Sequence, residues 1–193
     1  GNWTLTKDNQ FDFIYASATR NVATGGYAPV PMEFKHLFAA VTVEVKNVSS
    51  AELTLNSLSF SNIKTSGNAN VPFQGNVSYT LAASSGTGLF PENPGQTIAR
   101  GGSCSLYASY GEGGAFLIWP HSAPDLVNAT IELTYRQGNS NSTASVNLAE
   151  NPTIKTWAAG NKYIYKIDIS DNTISFDVIR VVDWINDDII LEE

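Results

Sequence analysis

Residues 36–47 read HLFAAVTVEVKN, and their alternation decides the fold class. Leu37, Ala39, Val41, Val43 and Val45 fall on one side of an extended chain, with Thr42, Glu44 and Lys46 on the other. A strict period of two with β-branched residues on the apolar side describes a half-buried strand. NATIELTYRQ, residues 128–137, repeats the pattern, with Ala129, Ile131, Leu133 and Tyr135 inward and Thr130, Glu132, Thr134 and Arg136 outward. The polar stretch QGNSNST that follows reads as a turn, and STASVNL, with Ala144, Val146 and Leu148, as the return strand of a hairpin.

Working outward, further strand candidates are QFDFIYASA, ELTLNSLSFSNI, NVSYTLAA, SCSLYASY, AFLIWP, KYIYKIDIS and TISFDVIRVVDW, which makes about ten in all. Glycines and prolines fall between them. About ten short strands with this punctuation predict an all-β fold, an antiparallel β-sandwich of transthyretin-like or immunoglobulin-like type. The Ala, Leu, Glu and Lys runs of a helical bundle are missing. The expected organisation is an N-terminal strand and link over residues 1–30, a remnant of an upstream domain, followed by one sandwich over 31–193. The stretch ASSGTGLFPENPGQTIARGG, residues 83–102, is the longest irregular segment and reads as a surface loop, or as a loop that touches a ligand. In TISFDVIRVVDW, Ile174, Phe176, Val178 and Val182 share one face while Ile179 and Val181 lie on the other. Its second half therefore requires cover on both sides, in mid-sandwich or beneath another chain.

Composition narrows function. The chain has 193 residues, 11 Lys plus Arg against 18 Asp plus Glu, and a formal charge of -7, which argues against nucleic acid and anionic membranes as partners. The single cysteine, Cys104, makes neither an internal disulfide nor a metal cluster and fits a buried core thiol. No apolar run reaches the about 18 residues of a membrane span. The opening GNWTLTKDNQ lacks the basic start and apolar stretch of an export signal, which points to a trimmed or mature chain.

Candidate chemistry is sparse. His36 and His121 are far apart and outside metal-spaced pairs; His36 has the parity of Phe34 and Phe38 and reads as closing a strand end by a hydrogen bond, His121 as a loop residue. GEGGA at 111–115 has no helix pattern after it and reads as a hairpin turn, without the character of a phosphate loop. The adjacent carboxylates Asp187 and Asp188, and Glu192 and Glu193, read as a solvated acidic tail, without the rigid cleft a glycosidase needs. Asp125, Asp168, Asp171 and Asp183 do not form a calcium-loop ladder. Catalytic residues, cofactors and metals are therefore expected to be absent. Trp119, Trp157 and Trp184 stand at sandwich-end positions, where an indole caps the core or stacks on a sugar ring; they are the candidate glycan-stacking aromatics.

These landmarks together carry a family resemblance. FKHLFAAVTV; a strand ending in proline, FLIWP; and the closing order WAAGNKYIYKI, ISF, VVDW resemble the fimbrillins, over about residues 11–184. That family comprises fimbrial subunits and fimbrillin-like surface lipoproteins of Gram-negative anaerobes. The resemblance implies a surface or fimbrial location at the outer membrane, export as a lipoprotein, and partners that are other fimbrial subunits, joined by strand exchange after an arginine-specific protease cuts. It further implies that accessory and tip members are adhesins, with a surface receptor or glycan as partner. Arg20, in ASATRNVATGG, is the candidate processing site. The resulting expectation is a non-catalytic cell-surface adhesion protein, a fimbrial structural, accessory or tip subunit. The alternative is a glycan-binding module of a surface nutrient-uptake system, which predicts an exposed aromatic platform.

Overall fold

A computed structural model describes residues 3–18, 30, 32–82, 86–92, 94–106, 114–150, 154, 156–171 and 173–184, without the side chains of 177–180, 182 and 183. Fifteen strands follow in order: β1 Trp3–Thr4, β2 Ile14–Tyr15, β3 Lys35–His36, β4 Ala39–Asn47, β5 Leu53–Ser61, β6 Ser66–Asn70, β7 Ser78–Leu81, β8 Leu89–Glu92, β9 Thr97–Ile98, β10 Ser103–Leu106, β11 Phe116–Ile118, β12 Thr130–Gln137, β13 Ser140–Asn147, β14 Asn161–Ile169 and β15 Ile174–Asp183. Two short 3-10 turns, Ala123–Leu126 and Leu148–Glu150, complete the regular structure among the described residues.

The two long alternating stretches become the centres of two sheets. In the first, five-stranded sheet the order is β10-β4-β14-β15, with β11 also on β4; in the second it is β13-β12-β5-β8, with β9 also on β5. Val41, Val43 and Val45 of β4 are fully buried, as are Ile131 and Leu133 of β12. Each such side chain contributes about 1.5–3 kcal/mol relative to exposure. Tyr165, Ile167 and Ile169 of β14 fill the same core. Phe60 on β5 meets Phe116 on β11 edge-on at 5.2 Å, so rings from both sheets interlock in the middle layer. The all-β sandwich expected from alternation is the fold found. Its pairings are antiparallel except at the centre of the first sheet, where β4 and β14 run parallel from Ala40 opposite Lys162 to Asn47 opposite Ile169.

Several elements differ from the sequence reading. The β12–β13 hairpin closes through Gly138 and Asn139 alone, with Gln137 opposite Ser140, so most of QGNSNST is strand. Gly138 takes φ 58°, open to glycine and costly for a β-branched residue. The supposed irregular segment 83–102 carries β8 and β9, which lie on β5. Its prolines and glycines hid them, because β5 supplies the hydrogen bonds that local propensity does not. β10 and β11 both pair with β4, Leu106 opposite Val43 and Phe116 opposite Val41, so both follow one line along it. Residues 37 and 38 form a bend between β3 and β4, with the Leu37 N–H donating to the Phe13 carbonyl at 2.8 Å. That bend turns Phe38 into the core, at 1% exposure, and leaves Leu37 half-buried.

The N-terminal stretch lies on the sandwich. β1 joins β6 and β7 in a small third sheet, and β2 pairs β3. Leu5 is buried with the core, and its N–H donates to the Thr65 carbonyl. Gln10 is buried too; its Oε1 accepts from the Leu117 N–H at 2.5 Å, and its Nε2 donates to the Thr6 carbonyl at 2.9 Å. Of QFDFIYASA only Ile14 and Tyr15 pair, with His36 and Lys35.

Candidate assembly surface

A sandwich ends in strand edges whose backbone N–H and C=O groups lack one neighbour, and such edges differ in how well they are guarded. The β8 edge is guarded: Pro91 interrupts its donors, Phe90 takes φ 50°, and its register against β5 slips between Leu58 and Phe60. On the far side of the second sheet, β13 pairs β12 over eight residues without a slip. Its sequence, SNSTASVN, is uncharged and polar. In the first sheet the outer strand is β15, ten residues long, with a bulge opposite Ile164 and Tyr165. The strand whose second half is expected to require cover on both faces is thus, among the described residues, an edge strand. Phe176 stacks on Tyr165 at 5.5 Å and an interplanar angle of 7°. Ile174 and Val181 remain 38% and 45% exposed. An edge strand with exposed aliphatic side chains is a template for another chain's strand.

The ends of β15 and β4 are pinned by a polar cluster. His36 Nδ1 lies 2.5 Å from Asp12 Oδ2, with both side chains nearly buried, and its ring stacks on Trp184 at 3.9 Å and 9°. Burial pushes the Asp12 carboxyl up from its ordinary value, against the opposing pull of His36. The expected strand-end hydrogen bond of His36 is present. His121 lies in the connection after β11, as expected of a loop residue, and is buried there at 2% exposure. Its Nε2 accepts from the Lys64 N–H at 2.8 Å, and its Nδ1 stands 2.6 Å from the Trp119 carbonyl. A carbonyl only accepts, so Nδ1 carries the proton and the imidazole is neutral with both nitrogens used. Burial lowers the pKa of His121 from its ordinary value, the Trp119 bond opposing.

The three candidate glycan-stacking tryptophans are core side chains. Trp119 and Trp157 are 2% and 1% exposed, and Trp184 9%. Trp119 donates Nε1–H to the Thr65 carbonyl and meets Phe38 edge-on at 4.9 Å; Trp157 donates Nε1–H to the Tyr165 hydroxyl at 2.7 Å. Capping the core is the role their packing serves, since none has a ring face open to a sugar. Arg20, the acidic pairs at 187–188 and 192–193, and most of GEGGA lie outside the described residues. Cys104 is buried on β10, where burial and, secondarily, Glu44 push its thiol pKa up. Among the described residues no group of three or more His, Cys, Asp or Glu side chains could hold a metal ion, and no helix is long and apolar enough to cross a membrane. Asp125 is held by Ser122 and Lys64, and Asp171 by Ser50 and Gln137. Sequence reasoning missed Gln10, Asp12 and the clamping of His121; the only signal was a polar residue within an apolar neighbourhood.

Comparison with known proteins agrees with this architecture. A solved structure described as a cell adhesion protein of Bacteroides ovatus superposes with a TM-score of 0.52 at 16% identity, over 97% of this chain and 61% of its own. A fimbrial protein of Bacteroides vulgatus gives 0.49 at 11% identity, over 80% of this chain and 56% of its own. A cell adhesion protein of Bacteroides uniformis gives 0.49 at 18%, over 80% and 53%. The chain thus spans between about half and three-fifths of their length. No functionally curated protein matches it by sequence. The fimbrillin-like family model matches residues 2–184, a span that contains every described residue. On this match the chain belongs to the fimbrillin-like family.

Proposed function

We propose that this chain is a non-catalytic subunit of a cell-surface adhesion fibre, structural, accessory or tip, joined to neighbouring subunits by strand exchange at an open sheet edge. The observation that carries this reading is β15, a long strand at the edge of its sheet among the described residues, with Ile174 and Val181 exposed. An added strand would satisfy its unpaired backbone groups and cover those side chains, gaining about 25 cal/mol for each Å² of apolar surface removed from water. Family membership supports the same role, and with it display as a lipoprotein outside the outer membrane. Processing after Arg20 belongs to this reading. Release of the N-terminal stretch would have to break the β2–β3 pair, the Asp12–His36 contact, the β1–β6 pair and the buried Gln10–Leu117 bond. Limited proteolysis that cuts there and leaves the segment tightly bound would count against that step.

The test is an unboiled denaturing gel of the native surface fraction, probed for this chain. Strand-exchanged subunits give a ladder of detergent-resistant multimers that collapses on boiling, and Val181→Lys shortens the ladder while the protein stays folded. A single monomer band from the native chain would refute polymerisation.

A further inference from the structure

The described residues include five exposed aromatic side chains, Trp3, Phe11, Phe13, Phe34 and Phe73. Four belong to the N-terminal stretch and the approach to β3. Phe73 stands alone on the loop between β6 and β7, VPFQGNV, residues 71–77, and at 79% it is the most exposed of them. The loop is shaped to hold it there. Pro72 fixes one backbone angle immediately before it, and Gly75 takes φ 99°, a conformation strained for any residue with a Cβ.

Beside the ring is an open cleft of about 380 Å³, lined by Ser17, Ala18, Phe73, Gln74 and Gly75. That volume lies within the range of small-ligand sites, roughly 300–1,000 Å³. Its chemistry is specific in kind. A flat apolar ring, an amide that both donates and accepts, and a hydroxyl that does the same are the groups that complement a sugar, whose C–H face stacks while its rim hydroxyls hydrogen-bond. Ala18 and Gly75 add little bulk, and a Cβ built on Gly75 meets nothing within 4 Å, so the ring face is approachable. Among the described residues no lining residue is charged, and a formal charge of -7 on the chain disfavours an anionic ligand.

We infer that the Phe73 cleft is a binding subsite for a neutral saccharide, with Phe73 as stacking platform and Gln74 and Ser17 as hydrogen-bonding partners. The site is separate from β15, and because Ser17 and Ala18 precede Arg20 it is complete in the uncut chain. It gives an adhesive protein a contact that the three buried tryptophans cannot provide.

The experiment is saturation-transfer NMR on the intact chain with lactose, N-acetyllactosamine and mannobiose as neutral probes and sialyllactose as the charged comparator. At least one neutral probe should receive saturation on its ring C–H protons, with a dissociation constant in the millimolar range, about the affinity expected of one small contact surface. Phe73→Ala should weaken it about tenfold, Phe73→Trp should retain it, and Phe34→Ala should leave it unchanged, with thermal unfolding confirming that each variant is folded. No transfer to any neutral probe, transfer that survives Phe73→Ala, or transfer to the sialic acid protons of sialyllactose equal to that on the neutral rings would each overturn the assignment.

Discussion

Replacing His121 with alanine should be among the most damaging single changes away from the aliphatic core. The imidazole joins three elements: Lys64 just beyond β5, Trp119 just beyond β11, and Trp157, whose ring it meets edge-on at 5.3 Å. Truncation leaves the Lys64 N–H and the Trp119 carbonyl without partners in a buried site, at about 1–3 kcal/mol each. With the lost ring packing the total is about 3–5 kcal/mol, a large part of the roughly 5–15 kcal/mol by which domains are stable. Equilibrium denaturation in urea should show a lower midpoint with an unchanged slope. The pH dependence is a second readout. Burial depresses the folded-state pKa of His121, so the unfolded chain binds more protons below the ordinary histidine value of about 6.5. The contribution is complete above that value and is lost as pH falls through the depressed one, because a protonated Nε2 would face the Lys64 N–H. The difference between native chain and His121→Ala should therefore narrow between neutral pH and pH 5. A cost under about 1 kcal/mol, or a difference that does not change with pH, would refute the clamp.

Two further perturbations test the polar anchors. Gln10→Ala removes the acceptor of the buried Leu117 N–H and should cost about 1–3 kcal/mol in the same denaturation assay, although the residue belongs to an N-terminal stretch; a neutral result would mean that this stretch does not stabilise the sandwich. Asp125 is pushed up by burial, but the bonds from Lys64 and Ser122 outweigh this and hold it at about 2. Its contribution is present above the ordinary carboxylate value and lost as pH falls toward 2, so Asp125→Asn should destabilise at pH 5 and much less at pH 2, read as the shift in thermal midpoint between the two conditions.

The strands that form the two sheet centres were legible because each carries its own evidence. β12 and β14 alternate and bury their inward residues; in β4 the inward residues are buried as expected, but Ala40 and the outward Thr42 are covered as well. What escaped sequence reading depends on partners. β8 and β9 contain or adjoin prolines and glycines and exist because β5 offers them an edge. QFDFIYASA alternates well, yet Phe11 is 65% exposed and only two residues pair, since the neighbouring strand β3 is itself two residues long. The tryptophans were placed correctly at sandwich ends, but whether an indole there faces a core or a ligand depends on tertiary packing. The exposed aromatic of the candidate saccharide site, Phe73, sits between a proline and a glycine in a stretch with no periodicity to mark it.

The parallel register of β4 and β14 also governs the order in which the protein can form. Hairpins such as β12–β13 can close as soon as their residues emerge, but the first sheet has no centre until Lys162 reaches Ala40, across most of the chain. Loop closure over such a span is slow, and until then one edge of β4 stays without its partner strand. The fold is therefore late-closing: a chain that remains open until its last quarter arrives is one that can be kept unfolded, by a chaperone or a transport channel, until it reaches the place where it is to work.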